Sequence, residues 1–262
     1  MMQLSVFLEH ILQACEQSGK STREVLRIIN KAGIKGLETN AGFIAGQKAL
    51  QQEIKDFGLI FNCLYEFYDW EDFSDFSDTK KLDNHIQTAQ KLGAKKILFV
   101  PPYFRKEDSI EAQLDSVVKM LTLACEKTKA HNITVMVEDF DNTLSPCSKI
   151  TYLKTLFNKV PELKFNFDTG NFITNGEYAL TGLEEFFPLI ENVHCKDRKS
   201  TFECCATGNG ELKIAELINQ LKAKGYFMHS ERNLTIEHFD VANQLEAMCQ
   251  SADFLKQIFS EK

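Results

Sequence analysis

The sequence contains no C-x-x-C pair, no Walker A, G-x-S-x-G or H-E-x-x-H motif, and no apolar run long enough to cross a bilayer. Each absence removes a class of function. Without C-x-x-C there is no knuckle or redox loop of the usual spacing, and eight cysteines in 262 residues are too dispersed for a disulfide scaffold. They read as small buried hydrophobes in a reducing compartment. The missing phosphate, hydrolase and zincin signatures withdraw support from nucleotide hydrolysis, α/β-hydrolase chemistry and zinc proteolysis. The longest apolar run, Ile97 to Phe104, is interrupted by two prolines, whereas a membrane helix needs roughly 18 to 20 residues. Met1 to Cys15 lacks a basic n-region and carries Glu9 and His10 among its apolar residues, which reads against a secretory signal. A cytoplasmic protein without a membrane partner is expected. Positive charge is also scarce: 30 Lys and Arg stand against 37 Asp and Glu, a net −7, which disfavours nucleic acid as a partner.

No Pro/Ser/Gly linker or low-complexity tract divides the chain, so one domain over residues 1–262 is expected. Short apolar or β-branched runs alternate with stretches of helical period from end to end. This alternation marks repeated βα units on a parallel sheet. The strand candidates are Gln3–Phe7, Gly36–Asn40, Leu59–Leu64, Lys96–Val100, Thr134–Glu138, Leu163–Asp168, Asn192–Lys196 and Asn233–Glu237. Ser21 to Glu24 reads as a capping box, and Gly33, Gly93 and Gly225 as helix stops. Glu66–Asp78 and Lys199–Gly210 read as long loops. Eight βα units in about 250 residues is the count of a closed (β/α)8 TIM barrel, an α/β fold. The rival, an open doubly wound sheet, would bring a glycine-rich phosphate loop. Gly208-Asn-Gly210 lacks the third glycine and follows no convincing strand.

Four strands of the C-terminal half end in side chains able to bind a metal: Glu138, Asp168, His194 and Glu237. Strand parity separates them from Val135, Val137, Phe165, Phe167, Val193, Cys195 and Ile236, which suit the helix layer. The opposite face puts two Glu, one Asp and one His at the C-terminal mouth, where such barrels keep their active sites. Three carboxylates gathered in a partly desolvated mouth call for a cation. Oxygen donors with one nitrogen favour Mn2+ or Mg2+, with Co2+ and Zn2+ also compatible. Lys196, Glu38 and Asn40 share the inward parity and read as substrate-binding residues, with Asn171 a further hydroxyl-binding candidate. Asp197 faces outward and reads as support for Lys196 or the adjoining loop. His238 also points outward and reads as structural. Phe67, Tyr68, Trp70, Phe73 and Phe76 crowd the loop after the third strand, either as apolar cover over a sugar or as a packed loop or subunit contact.

The ordered motifs resemble the xylose isomerase-like barrels. They are Gly33-Ile-Lys-Gly-Leu-Glu38, Leu92-Gly-Ala-Lys-Lys-Ile97, Val137-Glu138, Phe167-Asp-Thr-Gly-Asn171, Val193-His-Cys-Lys-Asp197, Gly208-Asn-Gly-Glu211 and Thr235-Ile-Glu237. The resemblance implies one divalent ion held by Glu138, Asp168, His194 and Glu237, with Glu138 and Glu237 also handling protons. It departs from the endonuclease branch, whose three-zinc cluster needs histidines where this chain has Asn62, Cys63, Pro101, Pro102 and Asn171. Many epimerases of the family have His where Asn171 stands. The expected activity is isomerisation or epimerisation of a small carbohydrate, phosphorylated or not, through a metal-stabilised enediolate. An inosose-type dehydratase and a non-catalytic sugar-binding barrel are the alternatives, and homo-oligomer formation stays open.

Overall fold

The computed structural model describes residues 3–77, 79–200 and 202–260. Met1 and Met2 of the segment read against a signal lie outside them, as do Asp78 and Thr201 of the two expected loops. The strands are β1 (Gln3–Phe7), β2 (Ile34–Asn40), β3 (Ile60–Phe67), β4 (Lys96–Val100), β5 (Thr134–Glu138), β6 (Lys164–Asp168), β7 (Ile190–Arg198), β8 (Cys204–Cys205) and β9 (Asn233–Glu237). Eight of them pair in parallel in the order β6-β5-β4-β3-β2-β1-β9-β7, and β6 pairs with β7 to close the ring. The molecule is an eight-stranded TIM barrel. Among the described residues only β8 is antiparallel, a two-residue strand laid against the end of β7.

The helices are α1 (Leu8–Ser18), α2 (Thr22–Lys31), α3 (Ala41–Ala45), α4 (Lys48–Asp56), α5 (Lys80–Leu92), α6 (Ile110–Lys129), α7 (Ile150–Lys159), α8 (Ala179–Phe186), α9 (Ile214–Ala223) and α10 (Gln244–Ser260). Ser21 caps α2 through the expected reciprocal box with Glu24, a local device contributing about 1 kcal/mol. Gly93 ends α5 in the left-handed region, at φ 75°, where a residue with a Cβ is strained. No helix among the described residues is long and apolar enough to cross a membrane.

The main apolar core lies between strands and helices. Val135, Val137, Phe165, Phe167, Val193, Cys195 and Ile236 all sit in it, as their parity requires. The expected loop from Glu66 begins later, because Glu66 and Phe67 extend β3.

The barrel interior is divided. Cys63, Leu98, Val100 and Met136 form a small apolar cluster on the side of β3, β4 and β5. The other side is polar and hydrogen-bonded in series. Lys96 Nζ donates to Asn233 Oδ1 (2.7 Å), and Asn233 Nδ2 donates to Thr235 Oγ1 (2.9 Å). Thr235 Oγ1 donates in turn to Glu38. Asn192 Nδ2 reaches both Glu38 Oε1 (2.8 Å) and Asn166 Oδ1 (2.6 Å). Buried polar groups are tolerable when they find partners, as all of these side chains do although Asn192 Oδ1 itself has none, and such a network fixes side-chain geometry. Here it forms the floor under the C-terminal mouth.

Candidate metal centre and active site

Glu138, Asp168 and Glu237 are the last residues of β5, β6 and β9, and His194 lies in β7 directly opposite Asp168 and Thr235. Adjacent strands therefore deliver the four side chains to one level. One ligand atom from each lies within 4.8 Å of the others, and all four residues are buried. His194 Nδ1 is 2.5 Å from Glu138 Oε1 and 2.8 Å from Glu237 Oε2. Nevertheless, His194 Nδ1, Asp168 Oδ2 and Glu237 Oε2 make no hydrogen bond among the described residues. Buried lone-pair atoms are normally satisfied, so three of them converging without hydrogen bonds fit the donor set of a divalent ion.

Three of the four candidate ligands are held from behind. Asn166 Nδ2 donates to Glu138 Oε1 (2.9 Å), and Gly170 N donates to Asp168 Oδ1 (2.7 Å). His194 Nε2 lies 3.0 Å from Glu38 Oε2, which leaves Nδ1 facing the other ligands. A ligand histidine oriented by a carboxylate is the usual supporting arrangement in metal sites. Gly170 is required here, since a Cβ would come within 2.9 Å of the Lys196 carbonyl oxygen.

The charges are strongly coupled. Burial pushes the Asp168 carboxyl up to about 8, against the pull of Lys196. Burial also raises Glu138, against the opposing pull of His194. For Glu237, burial is outweighed by Lys196 and His194, which hold the carboxyl well below the usual range. His194 and Lys196 resist the lowering effect of burial because the surrounding carboxylates raise both. Lys196 Nζ lies 2.6 Å from Glu237 Oε1, 3.4 Å from Asp168 Oδ2 and 2.8 Å from Asn171 Oδ1.

The remaining sequence candidates divide. Lys196 and Asn171 line the cavity above the four ligands, which has a volume of about 320 Å³. Asn171 is already engaged, donating to Asp139 O (2.8 Å) and accepting from Lys196 and Arg198. Glu38 is corrected: inward parity placed it among the substrate-binding residues, but it is fully buried beneath His194 with no surface toward the cavity. Asn40 is corrected too. Its Oδ1 caps α3 by accepting from Phe43 N (2.9 Å), and its Nδ2 donates to Glu66. Asp197 supports the loop rather than Lys196: its carboxylate accepts from the backbone N–H groups of Arg198, Gly208, Gly210 and Leu212. His238 is buried and stacked on His10, away from the ligands, with ring centroids 5.0 Å apart. Of the aromatic cluster after β3, Phe67 faces the cavity, whereas Tyr68 and Phe73 pack in the core around Phe99.

Sequence reasoning missed Asp139, whose Oδ1 accepts from Asp168 N (2.8 Å). Arg198 reads from the sequence as a surface cation able to meet a phosphate, but it is buried and bridges Gly170 O, Asp141 and Asn171. Asp139 is raised by burial, then by its carboxylate neighbours. Its position directly after Glu138 was the available signal.

Comparison with known proteins agrees with this architecture. Residues 26–258 match the model of the xylose isomerase-like TIM barrel family. A 155-residue stretch is 24% identical to the uncharacterized protein YihM of Escherichia coli K12, covering 56% of this chain and 46% of that protein. The match thus spans under half the length of that relative. Among solved structures, the probable 3-DHS dehydratase AsbF of Bacillus anthracis superposes with a TM-score of 0.78 at 17% identity, covering 97% of this chain and 99% of that one. The 3-keto-D-glucoside 4-epimerase YcjR of E. coli gives 0.74 at 15% identity, over 98% of this chain and 100% of that one. At such identities the structures speak for the fold alone, and the family match carries the assignment: the chain belongs to the xylose isomerase-like TIM barrel family.

Proposed function

We propose that this protein is a divalent-metal-dependent isomerase or epimerase of a small sugar, sugar phosphate or keto-polyol, acting by proton transfer. One observation carries the reading: Glu138 and Glu237 converge on His194 Nδ1 with Asp168 beside them, under a cavity open to a small molecule. Glu138, Asp168, His194 and Glu237 would hold the ion, and the mainly oxygen donor set suits Mn2+ or Mg2+. When bound, such an ion supplies Lewis acidity that makes the C–H beside a substrate carbonyl more acidic.

The side chains divide the rest of the work. One of the two glutamates takes the proton from that carbon onto its Oε, and the other returns a proton to the opposite face or the neighbouring carbon. Lys196 presents its ammonium to the substrate oxygen on which negative charge grows. Asn171 and Asp168 keep Nζ at that position. The apolar wall of Leu98, Val100 and Phe140 keeps water from competing for the proton. Residues 1–262 act as one domain in this reading.

The test is a panel of ketoses, aldoses, their phosphates and inososes with Mn2+ supplied, read by deuterium uptake from solvent. Exchange at a carbon next to the carbonyl is expected, falling by about 10²–10⁴-fold in Glu138→Gln and Glu237→Gln. Exchange retained in both variants removes the proposal. The ammonium beside Glu237 supports a second reading, a dehydratase in which Lys196 protonates a departing hydroxyl; loss of water in the product mass would select it.

A further inference from the structure

The cavity lining is chemically two-sided. Phe239, Phe7, Tyr65, Phe67 and Phe140 follow one another around the mouth, with consecutive ring centroids 5.5, 5.8, 5.8 and 6.3 Å apart. Leu98 and Val100 continue this wall downward. Facing it are Glu138, Asp141 and Glu237, with Lys196 as the cationic side chain among the described lining residues. That ammonium is already enclosed by Glu237, Asp168 and Asn171.

Barrels that bind phosphate esters commonly seat the phosphate on backbone N–H groups of the loops after the seventh and eighth strands. Gly208-Asn-Gly210, after β7, is the segment of this chain with that character. Its N–H groups are spent internally. Gly208 N and Gly210 N donate to Asp197 Oδ2 at 2.9 and 3.0 Å, and Leu212 N donates to Oδ1 at 3.3 Å. A Cβ on Gly210 would run into the same carboxylate. Asp197 thus fills from within the seat an anion would take. The buried Arg198, bonded to Asn171 of the lining, is likewise committed, to Gly170 O and Asp141.

We infer that the site selects an uncharged, monosaccharide-sized polyhydroxy ketone or aldehyde, one C–H-bearing face lying on the Phe67–Phe140 wall, and excludes phosphate esters. This rests on the proposed carbonyl-directed proton transfer and narrows its substrate class. With the carbonyl end of the ligand at the ion, the phosphate dianion of an ester would face the carboxylate side of the cavity with Lys196 already paired to Glu237, and like charges brought together in a partly desolvated space are strongly unfavourable. A neutral ring keeps its hydroxyls toward the carboxylate side and its apolar face toward the rings, the usual division of a small-molecule pocket.

The experiment pairs ketopentoses and ketohexoses with their own phosphate esters, and adds 2-keto-myo-inositol, against the Mg2+-loaded protein. Binding is read by calorimetry and deuterium uptake separately. At least one neutral member should bind, with its ester weaker by about tenfold or more. Phe67→Ala and Phe140→Ala should each weaken the neutral ligand roughly threefold to tenfold. Phe67→Leu, which keeps most of the apolar volume, should recover part of the loss and guards against misfolding as the cause. An ester that binds as tightly as its parent sugar overturns the inference, as does a panel in which no neutral member binds. Neutral binding without deuterium uptake supports this selectivity and instead removes the proton-transfer reading.

Discussion

Nε2 of His194 and Oε2 of Glu38 face each other at 3.0 Å with neither side chain open to solvent. This contact joins the polar floor of the barrel to its mouth. Glu38 also accepts from Asn192 and Thr235, so the imidazole inherits its orientation from three strands. Glu38→Gln is expected to weaken divalent-metal affinity by about 10- to 100-fold. Competition titration against a fluorescent chelator measures this, and unchanged affinity would show that Glu38 serves the barrel alone.

Metal binding should become tighter as pH rises. In the metal-free protein burial raises Asp168 to about 8 and raises Glu138, and surrounding carboxylates raise His194. Groups whose folded values are raised hold extra protons in the native state, so their contribution to stability fades as pH climbs toward those values. Burial, outweighed by Lys196 and His194, leaves Glu237 lowered, with the opposite dependence, but its contribution changes only in acid. Bound metal takes the place of the protons. The Tm difference between Mn2+-loaded and chelator-treated protein should therefore widen from pH 6 to pH 8. A constant difference across that window contradicts it.

Lys196→Met should reveal the same exchange of charges. Removing the ammonium leaves Glu237 and Asp168 without their buried cationic partner. The metal-free variant is expected to lose about 3–5 kcal/mol, and the metal-loaded variant distinctly less. Urea denaturation in both states measures the two losses, and equal losses would refute the coupling.

Asp197→Ala should unfasten the segment after β7 without touching the ligands. Its carboxylate accepts four backbone N–H groups, and their loss is expected to cost roughly 3 kcal/mol. Hydrogen exchange at Gly208, Gly210 and Leu212 should accelerate before that of β7 does. Retained protection at all three amides would show that the segment is held by other contacts.

Most of this design was legible because it repeats. The alternation of strand and helix set the barrel, and the period of two along β5, β6, β7 and β9 separated Glu138, Asp168, His194 and Glu237 from the residues beneath the helices. Parity reports which way a side chain points but not how deep it lies. That is why Glu38 was assigned to the cavity when it belongs to the floor. Asn40 eluded the same reasoning for a local cause, since an asparagine before a helix turns its oxygen to the first free amide. Asp139 and Arg198 act through Asp168 N and Gly170 O, at and just beyond the end of β6; adjacency to Glu138 marks Asp139 as a neighbour of the site, but neither pairing, being tertiary, is written along the chain.

The partition of the barrel interior has a consequence for how such a protein can diverge. Among the described residues the candidate metal ligands lie on β5, β6, β7 and β9, whereas Leu98 and Val100 on β4 line the cavity with hydrocarbon alone. Replacements on β4 and in the adjoining aromatic arc would reshape what is admitted while Glu138, Asp168, His194 and Glu237 stay in register. If the proposed activity holds, selectivity and reactivity are inherited on separate segments, and a lineage could trade one substrate for another without first dismantling its chemistry.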